Sequence, residues 1–395
     1  MTENRAFLIV MDSVGIGGAP DADCFFNDGK PDTGANTLGH IAQAQLLHLH
    51  HLDRLGLGAA IRLASGLEAP GLDAEPQGLW GAATEISAGK DTPSGHWEMA
   101  GVPVPWEWHY FPKTVPAFPP KVTAKICELA GTEGILANCH ASGTQVIEDF
   151  GDRHIRSGWP ICYTSVDSVL QIAAHEEHFG LDRLLALCEG LAPMLHEMRV
   201  GRVIARPFVG EAPGQFKRTP NRRDFAIAPP ADTILDIAAK AGRITHAIGK
   251  IGDIFSHRGI THLHKGKSDA DLAEHLVRLG QEAEPGSLTF ANFVEFDTNF
   301  GHRRDVPGYA SHLEWFDGVA GRFLNTLRPG DLAIFTADHG NDPSWFGTDH
   351  TRERVPVLGF GLGRREIGQV GFSDIGASVM AHLGLPAPQH GTSFL

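Results

Sequence analysis

The sequence predicts an α/β protein in which a mostly parallel sheet, flanked by helices, is interrupted by an inserted α+β domain. Continuous apolar runs of strand length recur at AFLIVM (6–11), LTFANFVEF (288–296), DLAIFT (331–336) and RVPVLGF (354–360). Runs without polar alternation suit strands buried on both faces of a parallel sheet. Helical patterns lie between and after them, the alternation a parallel sheet requires. The middle of the chain breaks that alternation, beginning with the Pro- and aromatic-rich VPVPWEWHYFPKTVPAFPP (102–120).

The helices are read from their spacing and caps. DADLAEHLVRLGQEA (269–283) places Leu272, Leu276 and Leu279 on one face behind Ser268 as N-cap. GYASHLEWFDGVAGRFLNTL (308–327) repeats apolar residues at Leu313, Phe316, Ala320, Phe323 and Leu327. SDIGASVMAHLG (373–384) opens on a serine cap and closes at Gly384. Within the middle region, SVLQIAAHEEHFGLDRLLALCEGLAPML (168–195) reads as helical, and alternation resumes near TPNRRD (219–224). The expected division is a core of 1–102 with 223–395 and an insertion of 103–222.

A chain of 395 residues, 42% hydrophobic and 20% charged, is long enough for two cores. Its formal net charge of -14 argues against nucleic acid and anionic membrane partners. An anionic small molecule remains admissible where a local site supplies positive charge. The five cysteines are odd in number and form no CxxC pair, so they read as reduced, mostly buried thiols of a cytoplasmic protein. The apolar run at 6–11 is too short for a signal-peptide core, and no run reaches membrane-spanning length.

Three of the expected strands carry an aspartate at or just past the carboxyl end: Asp12, Asp297 and Asp338. Ligands of open α/β sheets bind there. His302, His339 and His350 follow at short spacings. Each residue alone reads as a cap, a turn or an ordinary histidine. Together they are too many for one tetrahedral ion and suit two adjacent divalent ions. Mixed carboxylate and imidazole donors favour Mn²⁺ or Zn²⁺ over Ca²⁺ or Mg²⁺. The segment GKDTPSGHWEMAG (89–101) offers two hydroxyls, Thr92 and Ser94, which need a base or a metal to become nucleophiles. SVGIGGAP (13–20) is not GxGxxG and reads as a tight turn that lets backbone approach an ion site. His48, His50, His51, His262 and His264 lack strand-end carboxylates and read as solvated. Between Arg199 and Arg223 the local charge reverses: seven basic residues (Arg199, Arg202, Arg206, Lys217, Arg218, Arg222, Arg223) face one acid, Glu211.

The blocks MDSVGIGGAPDA (11–22), GANTLGHIA (34–42), GKDTPSGHWE (89–98), YTSVDSVLQIAAHEE (163–177), GRVIARPFVG (201–210), FDTNFGHRRDVPGYA (296–310), TADHGNDPSWFGTDHTRE (336–353) and the terminal HGTSFL resemble, in order, those of the phosphopentomutase family of the alkaline phosphatase superfamily. The resemblance covers nearly the whole chain. It implies an alkaline phosphatase-like core with a cap domain, and two Mn²⁺ ions, with Zn²⁺ or Co²⁺ as alternatives. One ion would be held by Asp297, His302 and His350, the other by Asp12, Asp338, His339 and the nucleophile. Related cofactor-independent phosphoglycerate mutases carry Ser-x-x-Gly-His; here that register selects Thr92 and leaves Ser94 as a turn hydroxyl. The resemblance further implies Arg202 and Arg218 on the distal phosphate, Ser165 and Asp167 on the sugar, Val169 and Ile204 lining the pocket, and Lys250 reaching in from the core. Lys90 reads either as a neutraliser of phosphate near Thr92 or as a turn residue.

The implied reaction interconverts ribose 1-phosphate and ribose 5-phosphate, and the deoxyribose phosphates, through a phosphothreonine and a bisphosphate. A sugar bisphosphate such as glucose 1,6-bisphosphate would prime it. No obligate protein partner is implied. The rival readings are a phosphoglycerate mutase-like enzyme, a metal-dependent phosphatase or sulfatase in which water takes the phosphoryl group, and a non-catalytic metal-binding protein. The threonine and the YTSVDSVLQ block argue against the first.

Overall fold

The computed structural model describes residues 4–165 and 167–395; residues 1–3 of the expected core and residue 166 of the expected insertion lie outside it. Two compact units divide the chain. One is the chain up to Pro105 together with Pro229–Leu395, and the other is Trp106–Ala228.

The first unit is built on an eight-stranded sheet. Its order is His262–His264, Thr245–Ile248, Leu288–Phe293, Ala6–Met11, Leu332–Thr336, Val355–Phe360, Leu79–Thr84 and Arg365–Gly371. Val355–Phe360 runs antiparallel to both neighbours, and all other neighbouring pairs are parallel. The sheet is mostly parallel, as the apolar runs predict. Helices cover both faces, which successive residues of Leu288–Phe293 show directly. Phe293 packs edge-on against Phe316 of helix Val306–Leu324, at 4.8 Å between ring centroids. Phe290 points the opposite way and stacks on His96 of helix Thr92–Met99, at 5.9 Å.

Helix ends follow local chemistry. Ser268 caps Asp269–Glu282 by accepting from Asp271 N. Ser373 does not cap the last helix, which runs Phe372–His382. Asp374 does the closing, its carboxylate accepting from Gly371 N at 2.8 Å. Gly384, at φ +64°, supplies the left-handed turn beyond that helix. Leu327 lies past the end of Val306–Leu324. The strand expected at 288–296 stops at Phe293 because the buried Asp269 carboxylate accepts from Val294 N and Glu295 N, each at 3.2 Å. That turns the chain into the wide helical turn Phe296–Gly301.

The second unit carries a six-stranded sheet: Arg223–Ala226, Arg202–Val209, Val169–His175, Ile161–Thr164 and Leu136–His140, with Lys217–Arg218 pairing Arg202–Val209. This corrects the helical reading of 168–195. Val169–His175 is a strand, buried throughout; the wide helical turn Glu176–Gly180 follows it, and the α-helix begins at Leu181. An apolar run buried on both faces carries no periodicity that separates strand from helix. Helices Pro120–Ala130 and Leu181–Glu197 pack on one face of this sheet, over Leu170, Ile172, Val203 and Ala205. Val146 and Ile147 of helix Gly143–Ser157 pack on the other, over Ile161, Tyr163, Ala173 and Phe208.

All five cysteines are free. Cys162 and Cys188 are buried, Cys127 and Cys139 partly so, and Cys24 is exposed, which corrects the expectation of mostly buried thiols. Among the described residues no helix is long and apolar enough to cross a membrane.

Candidate active site and metal centre

Sheet order explains why the three aspartates meet. Ala6–Met11 lies between Leu288–Phe293 and Leu332–Thr336, parallel to both. Their carboxyl ends are therefore adjacent. Asp12 directly follows the first strand, Asp338 lies two residues past the third, and the Phe296–Gly301 turn carries Asp297 back. All three are buried.

Two groups of donor atoms form there, each with its atoms within 4.8 Å of one another: Asp12, Asp338 and His339, and Asp297, His339 and His350. His302 adjoins the second, its Nε2 lying 3.1 Å from Asp297 Oδ2. The rings of His339 and His350 stack at 4.0 Å, and those of His302 and His350 lie 4.8 Å apart. The structure thus brings all six expected ligands together, with His339 shared between the groups.

The donor set has the marks of a cation site. Asp12 Oδ1 is buried and accepts no hydrogen bond from any described residue. Burial, and then the Asp338 and Asp297 charges, push the Asp12 carboxyl well above its ordinary range. Burial pulls the His339 imidazole down to about 4, so the ring is neutral near pH 7. Backbone carbonyls hold the imidazoles by the far nitrogen: His302 Nδ1 donates to Thr348 O at 2.7 Å, and His339 Nδ1 lies 3.1 Å from Gly340 O. That assignment leaves the His339 Nε2 lone pair facing the carboxylates. A neutral imidazole beside crowded carboxylates fits borderline divalent ions.

Thr92 opens helix Thr92–Met99 behind Asp91, whose side chain accepts from Ser94 N. Thr92 Oγ1 lies 3.3 Å from His339 Nε2. Ser94 Oγ instead donates to Asp91 Oδ2 at 3.1 Å, a turn hydroxyl. Gly95 allows the helix to lie against the third strand's end, since a Cβ there would sit 2.1 Å from Asp338 O.

Several supporting residues escape sequence reasoning. His96 is buried, with Nδ1 2.9 Å from Thr92 O and 3.2 Å from Asp338 Oδ2. Asn292 donates to Asp12 Oδ2 at 2.8 Å, and Asn341 to Asp297 Oδ1 at 2.7 Å. Glu353 accepts from Gly17 N, Thr37 N, Thr37 Oγ1 and Thr351 Oγ1, tying the loop after the first strand to the His350 loop. Burial raises it to about 7. The glycine turn does bring backbone to the site: Ser13 N donates to Asp338 Oδ1 at 3.0 Å. Asn292 has a readable signal, an amide inside an otherwise apolar strand. Lys90 donates to Asp32 Oδ2 and Phe26 O, which makes it a loop tie. Lys250 is exposed and lines a cleft of about 270 Å³ with Lys265, Lys267 and Glu295. Its charge favours ionised Asp12.

In the second unit, Val169 pairs with Arg202 and Gln171 with Ile204 across neighbouring strands. Val169 and Ile204 are buried. They lie outside both apolar clusters of this unit, on the face opposite Leu170 and Val203. Arg202 Nη2 pairs with Asp167 Oδ2 at 3.1 Å. Gln171 Nε2 lies 3.5 Å from Ser165 Oγ, and Arg218 bonds Tyr163.

Comparison with known proteins shows the family. The profile of the Metalloenzyme superfamily matches residues 4–387. The chain is 54% identical over 408 residues to the phosphopentomutase of Chelativorans sp. (strain BNC1), covering 99% of this chain and 98% of that one. It is 55% identical over 403 residues to the phosphopentomutase of Methylobacterium sp. (strain 4-46), covering 97% and 98%. Among solved structures, phosphoglycerate mutase of Leishmania mexicana aligns over 98% of this chain and 96% of that one, at 13% identity and a TM-score of 0.46. With relatives this similar along its whole length, the chain belongs to the phosphopentomutase family of the metalloenzyme superfamily.

Proposed function

We propose that the protein is a phosphopentomutase that interconverts ribose 1-phosphate and ribose 5-phosphate, and the deoxyribose phosphates, by way of phosphothreonine at Thr92. The observation that carries this reading is Thr92 Oγ1 at 3.3 Å from His339, the residue common to both donor groups. Phosphothreonine gives its phosphoryl group to the free sugar hydroxyl and makes a pentose bisphosphate. The bisphosphate turns around, and Thr92 Oγ1 attacks the phosphorus at the other end. The bond to the sugar oxygen breaks, and the product leaves with Thr92 phosphorylated again. A sugar bisphosphate such as glucose 1,6-bisphosphate restores enzyme that has lost its phosphate.

Asp297, His302 and His350 would hold one Mn²⁺, and Asp12, Asp338 and His339 the other. When bound, these ions supply positive charge to the transferring phosphoryl group and acidity to the nearby hydroxyl. The chain's own residues do the rest. The Asp91 cap fixes the helix that presents Thr92. Asn292 and Asn341 orient the carboxylates. Arg202 and Arg218 hold the distal phosphate, Ser165 and Asp167 contact the sugar, Val169 and Ile204 line its pocket, and Lys250 reaches the substrate.

The test is to prime the Mn²⁺-loaded protein with glucose 1,6-bisphosphate, supply ribose 1-phosphate, and measure ribose 5-phosphate against free phosphate. Isomerised product in large excess supports the mutase reading. Stoichiometric free phosphate without isomerisation replaces it with a phosphatase.

A further inference from the structure

Four arginines surround one face of the second unit's sheet, and two carboxylates answer them. Arg222 places Nε and Nη2 on Asp224, each at 2.6 Å. Arg202 pairs with Asp167 at 3.1 Å and lies 3.7 Å from Asp224. Both carboxylates are then engaged. Among the described residues, neither Arg206 nor Arg218 forms an ion pair.

Arg206 shares the face of Arg202 and Ile204, since it follows them by four and two residues along one strand. Arg218 pairs with Phe208 on the adjacent short strand, one step further along that face. Arg206 is half-buried, and it makes one side-chain hydrogen bond among the described residues: Nε donates to Gln171 Oε1 at 3.0 Å. Tyr163 OH lies 3.3 Å from the same oxygen. A guanidinium can only donate, so the amide oxygen must face Arg206 and the amide NH₂ must face Ser165 Oγ, 3.5 Å away. Both Nη nitrogens stay uncommitted. Burial, followed by the charges of Arg222 and Arg218, pulls the Arg206 guanidinium down to about 10. A half-buried cation crowded by cations, with donors to spare, is an arrangement that an anion relieves.

We propose that Arg206 is a further phosphate-binding residue, gripping together with Arg218 the sugar phosphate's group remote from the reacting bond, and that Gln171 is the positioning residue that aims it. This rests on the phosphopentomutase reading above. The ligand class is a phosphomonoester dianion, which suits the fork of a guanidinium better than the point charge of an ammonium.

The test compares ribose 5-phosphate kinetics of the Mn²⁺-loaded, primed wild type with Arg206→Ala, Arg206→Lys and Arg156→Ala. Arg156 is exposed on helix Gly143–Ser157 and paired with Asp152. Arg206→Ala is expected to raise KM about tenfold or more, with a smaller fall in kcat. Arg206→Lys recovers part of the loss, added guanidinium ion recovers part of the alanine variant's loss, and Arg156→Ala stays within about twofold of wild type. An Arg206→Ala enzyme whose KM stays within about twofold of wild type overturns the proposal, as does an equal rise in Arg156→Ala. Should Arg206→Ala not fold, Gln171→Ala decides, because it keeps every arginine. A KM raised about threefold supports the proposal and an unchanged one overturns it. A wild type that isomerises no pentose phosphate instead removes the reading beneath, and that outcome is visible before any variant is made.

Discussion

Thr92 Oγ1 lies 3.3 Å from His339 Nε2, the same nitrogen that faces Asp338 Oδ2 at 3.3 Å and Asp12 Oδ1 at 3.7 Å. The hydroxyl therefore stands at the edge of the carboxylate cluster, while Ser94 turns away to Asp91. Thr92→Ala is expected to abolish phosphate incorporation from glucose 1,6-bisphosphate and to lower isomerisation by about a thousandfold or more. Divalent-ion binding should survive, because no other donor is touched. Intact-mass and phosphopeptide analysis checks this. Phosphate that still enters the variant, at Ser94 or elsewhere, moves the nucleophile.

Asp12 couples the site to pH. Its folded carboxyl is pushed above its ordinary range, by burial first and then by Asp338 and Asp297. The folded, metal-free protein thus holds a proton that the unfolded chain releases near pH 4, so stability is lost as pH rises from about 4 upward. His339 works oppositely. Its folded value of about 4 lies below the ordinary 6.5, so it adds stability as pH rises between the two. Asp12→Asn removes the first effect and leaves the second. In chelator, urea unfolding at a series of pH values should show the variant gaining on wild type as pH rises. A pH-independent difference contradicts the account.

Metal addition should reverse that ranking at neutral pH. A cation at 100 times its dissociation constant stabilises the folded state by about 2.7 kcal/mol. Mn²⁺ should therefore raise the wild-type melting temperature, with chelation undoing the rise, and should raise that of Asp12→Asn much less. Equal shifts in the two proteins would place the ion elsewhere.

Gly95 offers a test of the close approach between the nucleophile's helix and the Asp338 backbone. An added Cβ would lie 2.1 Å from Asp338 O and 2.8 Å from its carbonyl carbon. Backbone cannot swing aside as a flexible side chain does. Gly95→Ala should cost about 1–3 kcal/mol in denaturant unfolding. It should also weaken Mn²⁺ binding, since it displaces a metal-donor strand end. Unchanged stability and metal affinity would refute the packing described.

Arg218→Ala should raise the KM for ribose 5-phosphate and enlarge the hydrolysis share, because a bisphosphate held at one end escapes more readily. Free phosphate measured against isomerised product reads both. Unchanged partitioning counts against a distal-phosphate role for this residue.

The central strands and the donor aspartates were legible because each leaves a local trace. A buried parallel strand shows as an unbroken apolar run, and its carboxyl end is where a lone Asp stands out, as Asp12 does after AFLIVM. The strand Val169–His175 left no such trace, since it is buried on both faces, shows no polar alternation and leads directly through Glu176–Gly180 into the helix Leu181–Glu197. Leu79–Thr84 and Arg365–Gly371 were also invisible. The first is rich in small residues, and the second is a polar edge strand whose one neighbour among the described residues lies nearly 300 residues away in sequence. His96, Asn341 and Glu353 acquire their roles only from contacts across the fold. Glu353 meets Gly17 and Thr37, and nothing near position 353 announces that.

If two neighbouring cations sit beside Thr92, an anomalous-difference map from crystals grown with Mn²⁺ shows both. Two adjacent peaks are expected, one ringed by Asp297, His302 and His350, the other by Asp12, Asp338 and His339 within reach of Thr92 Oγ1. A single peak, or peaks remote from that hydroxyl, would contradict the two-cation site.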